Sequence, residues 1–492
     1  MIRDLFKDLT KYLPSHIVPF VVGIISIPII TRLIPPEEYG NYVLVLAAVS
    51  VLSAVGTTWL SSSSIRFFPS YELDKREGEF FSIVIKLIFV SVMSILLIAL
   101  FVSFFIQSFI SSNLYSLLYI GILLFITTSV SDVFLSILMA KRKASWYSFI
   151  KIWHCVIGFI VGIILIVSFH WGAKGLLSGA FLSMAMALPF LYKLAIGKTS
   201  FKKGNILSPI TLKIAKYGFP IVAINLTSWI LMLSDRYILN FFMGSKEVGI
   251  YSVGYTIPER TLLVIAILFQ TASNPISFKI WEKEGVKASQ AFLTKLTRYY
   301  LLITLPATVG LSVLSESVMH VFASPSYFSG YQVIPLISFS LFFIGIIDRF
   351  NNVMTYYKKT NFIMFNVLFA AILNLGLNFL LIPKYGYMAA ALTTFIAFAV
   401  NMIVAIIISR HLLVWEFPFK SLVKIAIASA VMGIGIHYLV NNLITSNVLN
   451  LIVGVCTGIM IYFVMLILLR EFQREEIEEG RQLLSLKFFK SA

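Results

Sequence analysis

The chain has 492 residues, of which 59% are hydrophobic and only 12% are charged. Soluble globular proteins carry about 25% charged residues, so the composition excludes a soluble protein and indicates an integral membrane protein. The net charge of +17 does not indicate nucleic-acid binding, because most basic residues lie in short connections between apolar segments. The two cysteines, Cys155 and Cys456, lie within apolar segments, and no disulfide is expected.

Residues 1–12 predict an amphipathic helix at the membrane interface, with apolar side chains along one stripe and basic side chains outside it. Fourteen apolar spans follow, each about long enough to cross a bilayer. Their approximate limits are 13–34, 41–60, 80–106, 114–140, 146–169, 174–197, 217–243, 248–276, 295–316, 330–356, 361–382, 386–409, 419–440 and 447–469.

The Lys and Arg residues alternate between connections as the positive-inside rule requires. The N-terminus, every second connection after it and the C-terminal tail together contain 30 Lys and Arg residues, whereas the other connections contain 4. A wrong number of spans would destroy this alternation. The sequence therefore predicts fourteen transmembrane helices with both termini in the cytoplasm.

Three pairs of stretches indicate an internal repeat. They are SDVFLSILMAKRK (131–143) with IDRFNNVMTYYKK (347–359), HWGAKGLLSGA (170–180) with KYGYMAAALTT (384–394), and EEYGNY (37–42) with KEVGIY (246–251). The offsets are nearly constant, so the first six spans and the next six form two homologous bundles. Six is an even number, so both bundles run the same way through the membrane and the repeat is parallel. Spans thirteen and fourteen have no counterpart.

These patterns predict six parts of an all-α membrane protein. They are an interfacial helix (1–12), an N-terminal six-helix lobe (13–197), a basic cytoplasmic linker (198–216), a C-terminal six-helix lobe (217–411), two additional transmembrane helices (412–470) and a cytoplasmic tail (471–492). No Walker A sequence, HExxH, paired-cysteine metal spacing or GxSxG motif occurs. We therefore expect no catalytic residue, no bound metal and no organic cofactor, and transport is the function that remains.

Charged side chains inside the predicted spans mark the candidate site. The stretch 217–275 consists of two spans joined by a short turn, and it contains Asp235, Arg236, Glu259 and Arg260. A charge in hydrocarbon costs roughly 2.5–3.5 kcal/mol on insertion scales, so four charges in one helical hairpin predict a polar cavity.

Glu259 and Arg260 lie near the middle of span eight, directly after Pro258. Proline removes a helical hydrogen bond, and interrupted, charged helices at mid-membrane are typical of transport sites. Asp235 and Arg236 lie two turns from the outer end of span seven. They can face the other two charges, or they can form an internal ion pair with a structural role.

Further charged residues lie nearer the cytoplasmic helix ends. Asp132, Asp348 and Arg349 lie about two turns inside spans four and ten, and they are candidates for coupling or gating. The structural alternative is a carboxylate in each repeat that accepts hydrogen bonds or pairs with a nearby cation. Arg66 follows a run of four serines at the end of span two. It either lines the cytoplasmic mouth or only obeys the positive-inside rule.

The chain resembles the polysaccharide-exporter branch of the multidrug/oligosaccharidyl-lipid/polysaccharide (MOP) superfamily, the Wzx-type flippases of lipid-linked oligosaccharides. The resemblance rests on ISIPIITRLIPPEEYGNYVLVLAA (25–48), YGFPIVAINLTSWILMLSDRYILNFFMGSKEVGIYSVGY (217–255) and VFASPSYFSGYQVIPLIS (321–338). It implies two six-helix lobes in a V, as in multidrug (MATE) transporters, which alternate between inward- and outward-open states. It also implies that spans one, two, seven and eight line the lumen, where Arg66, Asp235, Arg236, Glu259 and Arg260 fall.

The family implies a polyprenyl-(pyro)phosphate-linked oligosaccharide as substrate, crossing the cytoplasmic membrane for surface polysaccharide or O-antigen synthesis. Membrane lipids and other polysaccharide assembly proteins are the expected partners. Arginines suit bidentate phosphate contact, and carboxylates suit H⁺ or Na⁺ as a coupling ion. Two alternatives stay open: a cation-coupled multidrug antiporter of the same superfamily, and a membrane glycosyltransferase or polymerase of surface glycans.

Overall fold

The structure is a computed structural model, and it describes residues 11, 13–108, 110–197, 208–443 and 446–472. Three predicted parts lie wholly or partly outside these residues. They are the interfacial helix at 1–12, of which only Lys11 is described, the linker between 198 and 207, and the tail beyond 472.

The described residues form helices and no β-strand. The α-helices are α1 (Pro14–Leu33), α2 (Pro36–Gly56), α3 (Thr58–Leu73), α4 (Glu77–Ile106), α5 (Ser112–Ala140), α6 (Ala144–Phe169), α7 (Gly172–Ala195), α8 (Pro209–Met243), α9 (Ser245–Pro258), α10 (Val264–Val313), α11 (Ser315–Phe322), α12 (Val333–Tyr356), α13 (Thr360–Arg410), α14 (Phe419–Leu443) and α15 (Asn447–Leu468). A π-helical turn (Glu259–Leu263) joins α9 to α10, and a 3₁₀ helix (Pro325–Gln332) precedes α12. The predicted all-α class is confirmed.

Eleven helical segments of the described chain are long and apolar enough to cross a membrane. The two longest, Ser245–Val313 and Thr360–Arg410, contain Gly285 and Gly386, whose φ angles of 80° and 58° interrupt the helix. Division at these glycines, together with the shorter apolar helix Ile17–Leu33, gives one segment for each predicted span. The helices therefore lie where hydropathy places them, while the number of crossings and the cytoplasmic termini stay predictions.

The end of span two differs from the prediction. Residues 61–79 were expected to form a cytoplasmic connection, yet α2 ends at Gly56 and α3 continues through the serine run to Leu73. Two of the four serines, Ser63 and Ser64, are buried, and Ser63 donates a hydrogen bond to the carbonyl of Ile214 at 3.0 Å, which fits a helix packed against α8. Arg66 consequently lies on a helix rather than in a loop.

Small residues set the distance between α6 and α7. Gly158 and Gly162 on α6 face Gly175 and Gly179 on α7, and both pairs have the GxxxG spacing that allows helices in membranes to approach closely. A Cβ atom on Gly179 would lie 2.4 Å from the Gly158 carbonyl oxygen. Larger residues at these positions would separate the two helices.

A reciprocal backbone contact reflects the internal repeat. A Cβ atom on Gly40 would lie 1.8 Å from the carbonyl oxygen of Ser245, and one on Gly249 would lie 1.9 Å from that of Pro36. Gly40 and Gly249 are equivalent positions of the repeat, at the offset of 209 residues that also relates Pro36 to Ser245. Two segments that contact each other through the same positions are related as in a two-fold interface, as expected for two copies of one repeat.

The described residues cluster into two compact units. Unit 1 comprises residues 1–253 and 371–390, and unit 2 comprises residues 254–370 and 391–492. These limits follow spatial contacts, whereas the lobes predicted at 13–197 and 217–411 follow the sequence repeat. The assignment of those lobes stays a prediction.

Within unit 2, the C-terminal helices α14 and α15 are attached to α10. Arg298 on α10 donates from Nε to the Glu471 carboxylate at 2.7 Å, and Lys424 on α14 lies 3.6 Å from the same carboxylate. The hydroxyl of Tyr462 on α15 donates to the carbonyl of Leu302 at 2.8 Å. Both helices are therefore held to α10 by polar contacts.

Candidate functional site

In unit 1, Asp235 and Arg236 form a buried ion pair. Arg236 Nη1 lies 3.2 Å from Asp235 Oδ1, and it also donates to the carbonyl of Met232 at 2.8 Å. The Tyr251 hydroxyl donates to the other carboxylate oxygen, and its ring lies beneath the guanidinium group at 5.6 Å. Asp235 and Arg236 are only 1% and 4% exposed. Their charges are therefore compensated inside the protein, which favours the structural alternative.

Polar side chains near this pair attach α8 to α2. The Tyr237 hydroxyl donates to the carbonyl of Leu44 at 2.8 Å, and the Trp229 indole N–H donates to that of Ala47 at 3.2 Å. These contacts join two predicted spans at the same level as the Asp235–Arg236 pair. The outer half of α8 thus uses its polar groups to hold neighbouring helices.

In unit 2, Glu259 and Arg260 begin a π-helical turn. The turn covers Glu259–Leu263 and follows Pro258 directly, so the interruption expected after this proline is present. The Thr261 hydroxyl donates to the carbonyls of Ile257 and Pro258 at 2.9 and 3.1 Å, which stabilises the irregular backbone. π-Helical turns inside α-helices occur frequently at functional sites.

The side chains of Glu259 and Arg260 differ from the pair in unit 1 because neither contacts an opposite charge among the described residues. Both are half-buried, and neither forms a hydrogen bond or an ion pair with any described residue. Arg260 Nε is enclosed by protein and has no hydrogen-bond acceptor within the described chain. A buried donor without an acceptor is unfavourable, so this arginine is suited to bind an acceptor that enters from outside.

A second charged cluster of unit 2 surrounds Arg349 on α12. Its Nη1 donates to Asp348 Oδ2 at 2.8 Å, and its guanidinium group lies 4.9 Å from the centre of the Tyr300 ring. Arg349 is fully buried, and its Nε and Nη2 have no hydrogen-bond partner among the described residues. Gln270 donates to the other Asp348 oxygen at 2.6 Å.

Polar pairs at regular spacing connect α10 with α12. Gln270 contacts Asp348, Asn274 contacts Asn352 with 3.3 Å between the amide groups, and Ser277 hydrogen-bonds Tyr356. The sequence analysis did not single out Gln270, Asn274 or Ser277. Their spacing places them on one helical face, and this polar stripe within an apolar span was the available signal.

The carboxylate at the equivalent repeat position in unit 1 is more open. Asp132 Oδ1 lies 3.7 Å from Lys151 Nζ, and the two side chains are 43% and 36% exposed. The expectation that each repeat pairs a carboxylate with a cation agrees with these contacts. Their role in coupling or gating stays a prediction.

Arg66 contributes an exposed cation to α3 of unit 1. Its guanidinium group lies 5.9 Å from the centre of the Phe67 ring. Within the described chain it forms no hydrogen bond or ion pair with another predicted site residue of unit 1. No group of three or more His, Cys, Asp or Glu side chains suited to a metal ion occurs in the part of the chain that the structure describes.

Comparison with solved structures defines the class of fold. The chain is similar to the lipid II flippase MurJ in an inward closed conformation, with a TM-score of 0.75, 18% identity and coverage of 95% of this chain and 99% of that one. It is also similar to an inward-facing MATE-family multidrug resistance transporter of the MOP superfamily, with a TM-score of 0.65, 13% identity and coverage of 82% and 94%. The fold is therefore that of the MurJ and MATE membrane transporters.

The sequence comparison gives the family. Residues 5–281 match the model of the polysaccharide biosynthesis protein family. This match covers more than half of the chain, and the chain belongs to that family. It is a multi-pass membrane protein, and the predicted membership in a polysaccharide family is confirmed, while its place in the MOP superfamily stays a prediction.

Two archaeal proteins are relatives by sequence. An uncharacterised membrane protein of Methanocaldococcus jannaschii is 26% identical over 330 residues, which is 64% of each chain. A probable low-salt glycan biosynthesis flippase of Haloferax volcanii is 21% identical over 288 residues, which is 58% of this chain and 59% of that protein. The chain thus matches about three fifths of the length of each relative.

Proposed function

We propose that the protein is a flippase that moves a polyprenyl-(pyro)phosphate-linked oligosaccharide across the cytoplasmic membrane. The polysaccharide biosynthesis family and the MurJ-like fold support this proposal, as does the glycan biosynthesis flippase among the relatives. In this view the protein is a transporter and not an enzyme. It acts between the enzymes that assemble the lipid-linked glycan and the proteins that use it at the surface.

The observation that carries the proposal is the environment of Arg260. Arg260 lies near the middle of a predicted span and has no hydrogen-bond acceptor for Nε among the described residues, so its guanidinium group is available for another anion. A guanidinium group binds phosphate through two parallel hydrogen bonds, and such charge-assisted bonds are about twice as strong as neutral ones. The phosphate that joins lipid to glycan is an anion of this kind, and it must cross the same depth of the membrane.

Glu259 supplies a negative charge at the same turn of the helix. Adjacent residues of a helical turn point in different directions, so the carboxylate can bind a proton or Na⁺ while Arg260 binds the substrate. Ion binding changes the equilibrium between inward- and outward-open states only if the ion has different affinities for them. We therefore assign coupling to Glu259 and, in the polar cluster of unit 2, to Asp348.

Cells that lack the protein provide the test. We expect lipid-linked oligosaccharide to accumulate on the cytoplasmic side and surface glycan to fall, and wild-type protein to reverse both changes. Arg260→Ala, at normal membrane levels, should fail to reverse them. Unchanged lipid-linked pools and surface glycan together with increased sensitivity to cationic drugs would instead identify a multidrug antiporter, the alternative that the MATE-like fold favours.

A further inference from the structure

A polar cavity of about 500 Å³ lies in unit 1 between the start of α2, the start of α5 and the connection from α6 to α7. Its volume is within the range of small-molecule sites. Its polar and aromatic lining consists of Glu38, Asn41, Asn113, His170, Trp171 and Lys174. The distribution of Lys and Arg predicts that this end of the helices is extracytoplasmic.

One wall of the cavity is held by the contact of Glu38 with the start of α7. Glu38 Oε2 accepts a hydrogen bond from the backbone N–H of Ala173 at 3.0 Å. A Cβ atom on Gly172 would lie only 2.0 Å from this oxygen, and the φ angle of Gly172 is 50°. Glycine is therefore required for the close approach, and the carboxylate is positioned before any ligand arrives.

Asn41 provides a buried acceptor that the described residues leave unused. The residue is 2% exposed, it lines the cavity, and its Oδ1 has no hydrogen-bond partner among the described residues. Buried side-chain oxygens are normally satisfied by a protein group, a water or a ligand. A ligand in the cavity can therefore donate a hydrogen bond to Asn41.

Trp171 adds an apolar surface at the mouth of the cavity. It is 47% exposed, and its ring lies 5.9 Å from that of Phe169. An exposed indole presents a flat apolar face together with one N–H donor. A sugar ring has the complementary character, with C–H groups on its faces and hydroxyl groups around its edge.

The charges of the cavity favour a neutral ligand. Glu38 and Lys174 contribute one charge of each sign, and the remaining polar lining groups are amides, an imidazole and an indole. A phosphate site would require an excess of cations. The cavity also lacks the three acidic, His or Cys side chains that a metal site would need, as does the rest of the described chain.

We propose that this cavity is a binding site for a neutral saccharide unit of the transported glycan on the extracytoplasmic side. The proposal rests on the proposed flippase function. Hydroxyl groups of the sugar donate to Asn41 and Glu38, and the face of its ring packs on Trp171.

Calorimetric titration of the purified full-length protein in lipid nanodiscs tests the proposal. The probe is the water-soluble oligosaccharide released by mild acid from the host's own lipid-linked pool. We expect saturable binding to wild type, and Asn41→Leu or Trp171→Ala to weaken it about tenfold, the effect of one lost polar or stacking contact. Trp146→Ala is the matched control, because Trp146 is 42% exposed and lies outside the cavity; it should bind as wild type does. Inorganic phosphate should not compete.

Absence of binding to wild type, or equal affinity in wild type and the Trp171→Ala protein, overturns the proposal. Competition by inorganic phosphate overturns it as well, because the site would then be an anion site. Trp171 lies at the surface, so we expect Trp171→Ala to fold. This variant provides the test even if Asn41→Leu does not fold. If cells that lack the protein have normal lipid-linked pools, the proposed flippase function is wrong. The calorimetric result tests the cavity separately, so a failure of the function and a failure of the site are distinguishable.

Discussion

Two acid–arginine pairs in consecutive predicted spans have different surroundings. Asp235 and Arg236 lie on a regular α-helix, contact each other and are enclosed together with Tyr251. Glu259 and Arg260 begin a π-helical turn and contact no opposite charge among the described residues. The same dipeptide type in the same apolar setting thus yields one compensated pair and one pair that contacts no opposite charge among the described residues.

The difference shows that a charged residue inside a predicted span does not by itself identify a transport site. The groups that the charged residue contacts must also be known. A third pair, Asp348–Arg349, is intermediate. Its charges contact each other at 2.8 Å, yet two nitrogen atoms of Arg349 have no acceptor within the described chain. We therefore expect the loss of stability on removal of the acid to be largest for the enclosed pair, smaller for Asp348–Arg349 and smallest for the open pair.

The largest effect is expected for Asp235→Leu. The substitution leaves the buried Arg236 without its counter-charge, which typically costs about 3–5 kcal/mol of stability. Thermal unfolding of the purified protein measures the loss. The double variant Asp235→Leu/Arg236→Met is the control, because replacing both charges by apolar groups of similar volume is often close to neutral. A double variant as unstable as the single one would contradict the structural role.

A smaller loss is expected for Asp348→Leu. Arg349 then loses its Nη1 acceptor, and a hydrogen bond that involves a charged group is worth roughly 1.5–3 kcal/mol. The contact of its guanidinium group with the Tyr300 ring remains. Thermal unfolding again provides the measurement, with Asp348→Asn as the control, because an amide oxygen can still accept from Arg349. If both variants unfold like wild type, the cluster does not stabilise unit 2.

Asp132→Asn should change stability by no more than about 0.2–1 kcal/mol, because ion pairs accessible to solvent contribute little. The Asp132–Lys151 pair is roughly 40% exposed and separated by 3.7 Å. Unfolding measured at low and high salt checks the prediction, since an exposed pair is screened by salt. A loss of several kcal/mol that does not depend on salt would indicate an enclosed pair.

The smallest effect on stability is expected for Arg260→Ala, which should remain within about 0.5 kcal/mol of wild type. No hydrogen bond or ion pair is lost within the described chain, and a half-buried charge is removed. Its melting temperature, compared with that of Asp235→Leu, checks this prediction. A large destabilisation would show that Arg260 has a structural partner.

Most of the fold could be predicted because hydropathy acts over a whole span. Each predicted span has a helical counterpart, and an irregular turn lies at the two charged residues that follow Pro258. The limits of single helices were less predictable. The serine run before Arg66 indicated a helix end, but tertiary contacts such as that of Ser63 with Ile214 keep α3 helical.

The environments of the site residues could not be predicted in the same way. Whether Asp235 is enclosed depends on Tyr251, which is 16 residues away and on another helix. The Gln270–Asp348 contact joins residues 78 positions apart. Local sequence shows that charges exist inside the predicted spans and that an acid stands next to an arginine. The further groups that contact Asp235 and Asp348, Tyr251 and Gln270, come from other helices.

The most direct test of the account is transbilayer movement of lipid-linked oligosaccharide in vesicles that contain the purified protein. Accessibility of the glycan to an added glycosidase measures the rate. We expect Arg260→Ala to be about ten- to a hundredfold slower than wild type, the value of one charge-assisted contact. Asp235→Leu/Arg236→Met should keep most of the wild-type rate. Equal rates for wild type and Arg260→Ala would contradict the central claim that the unpaired arginine carries the substrate phosphate across.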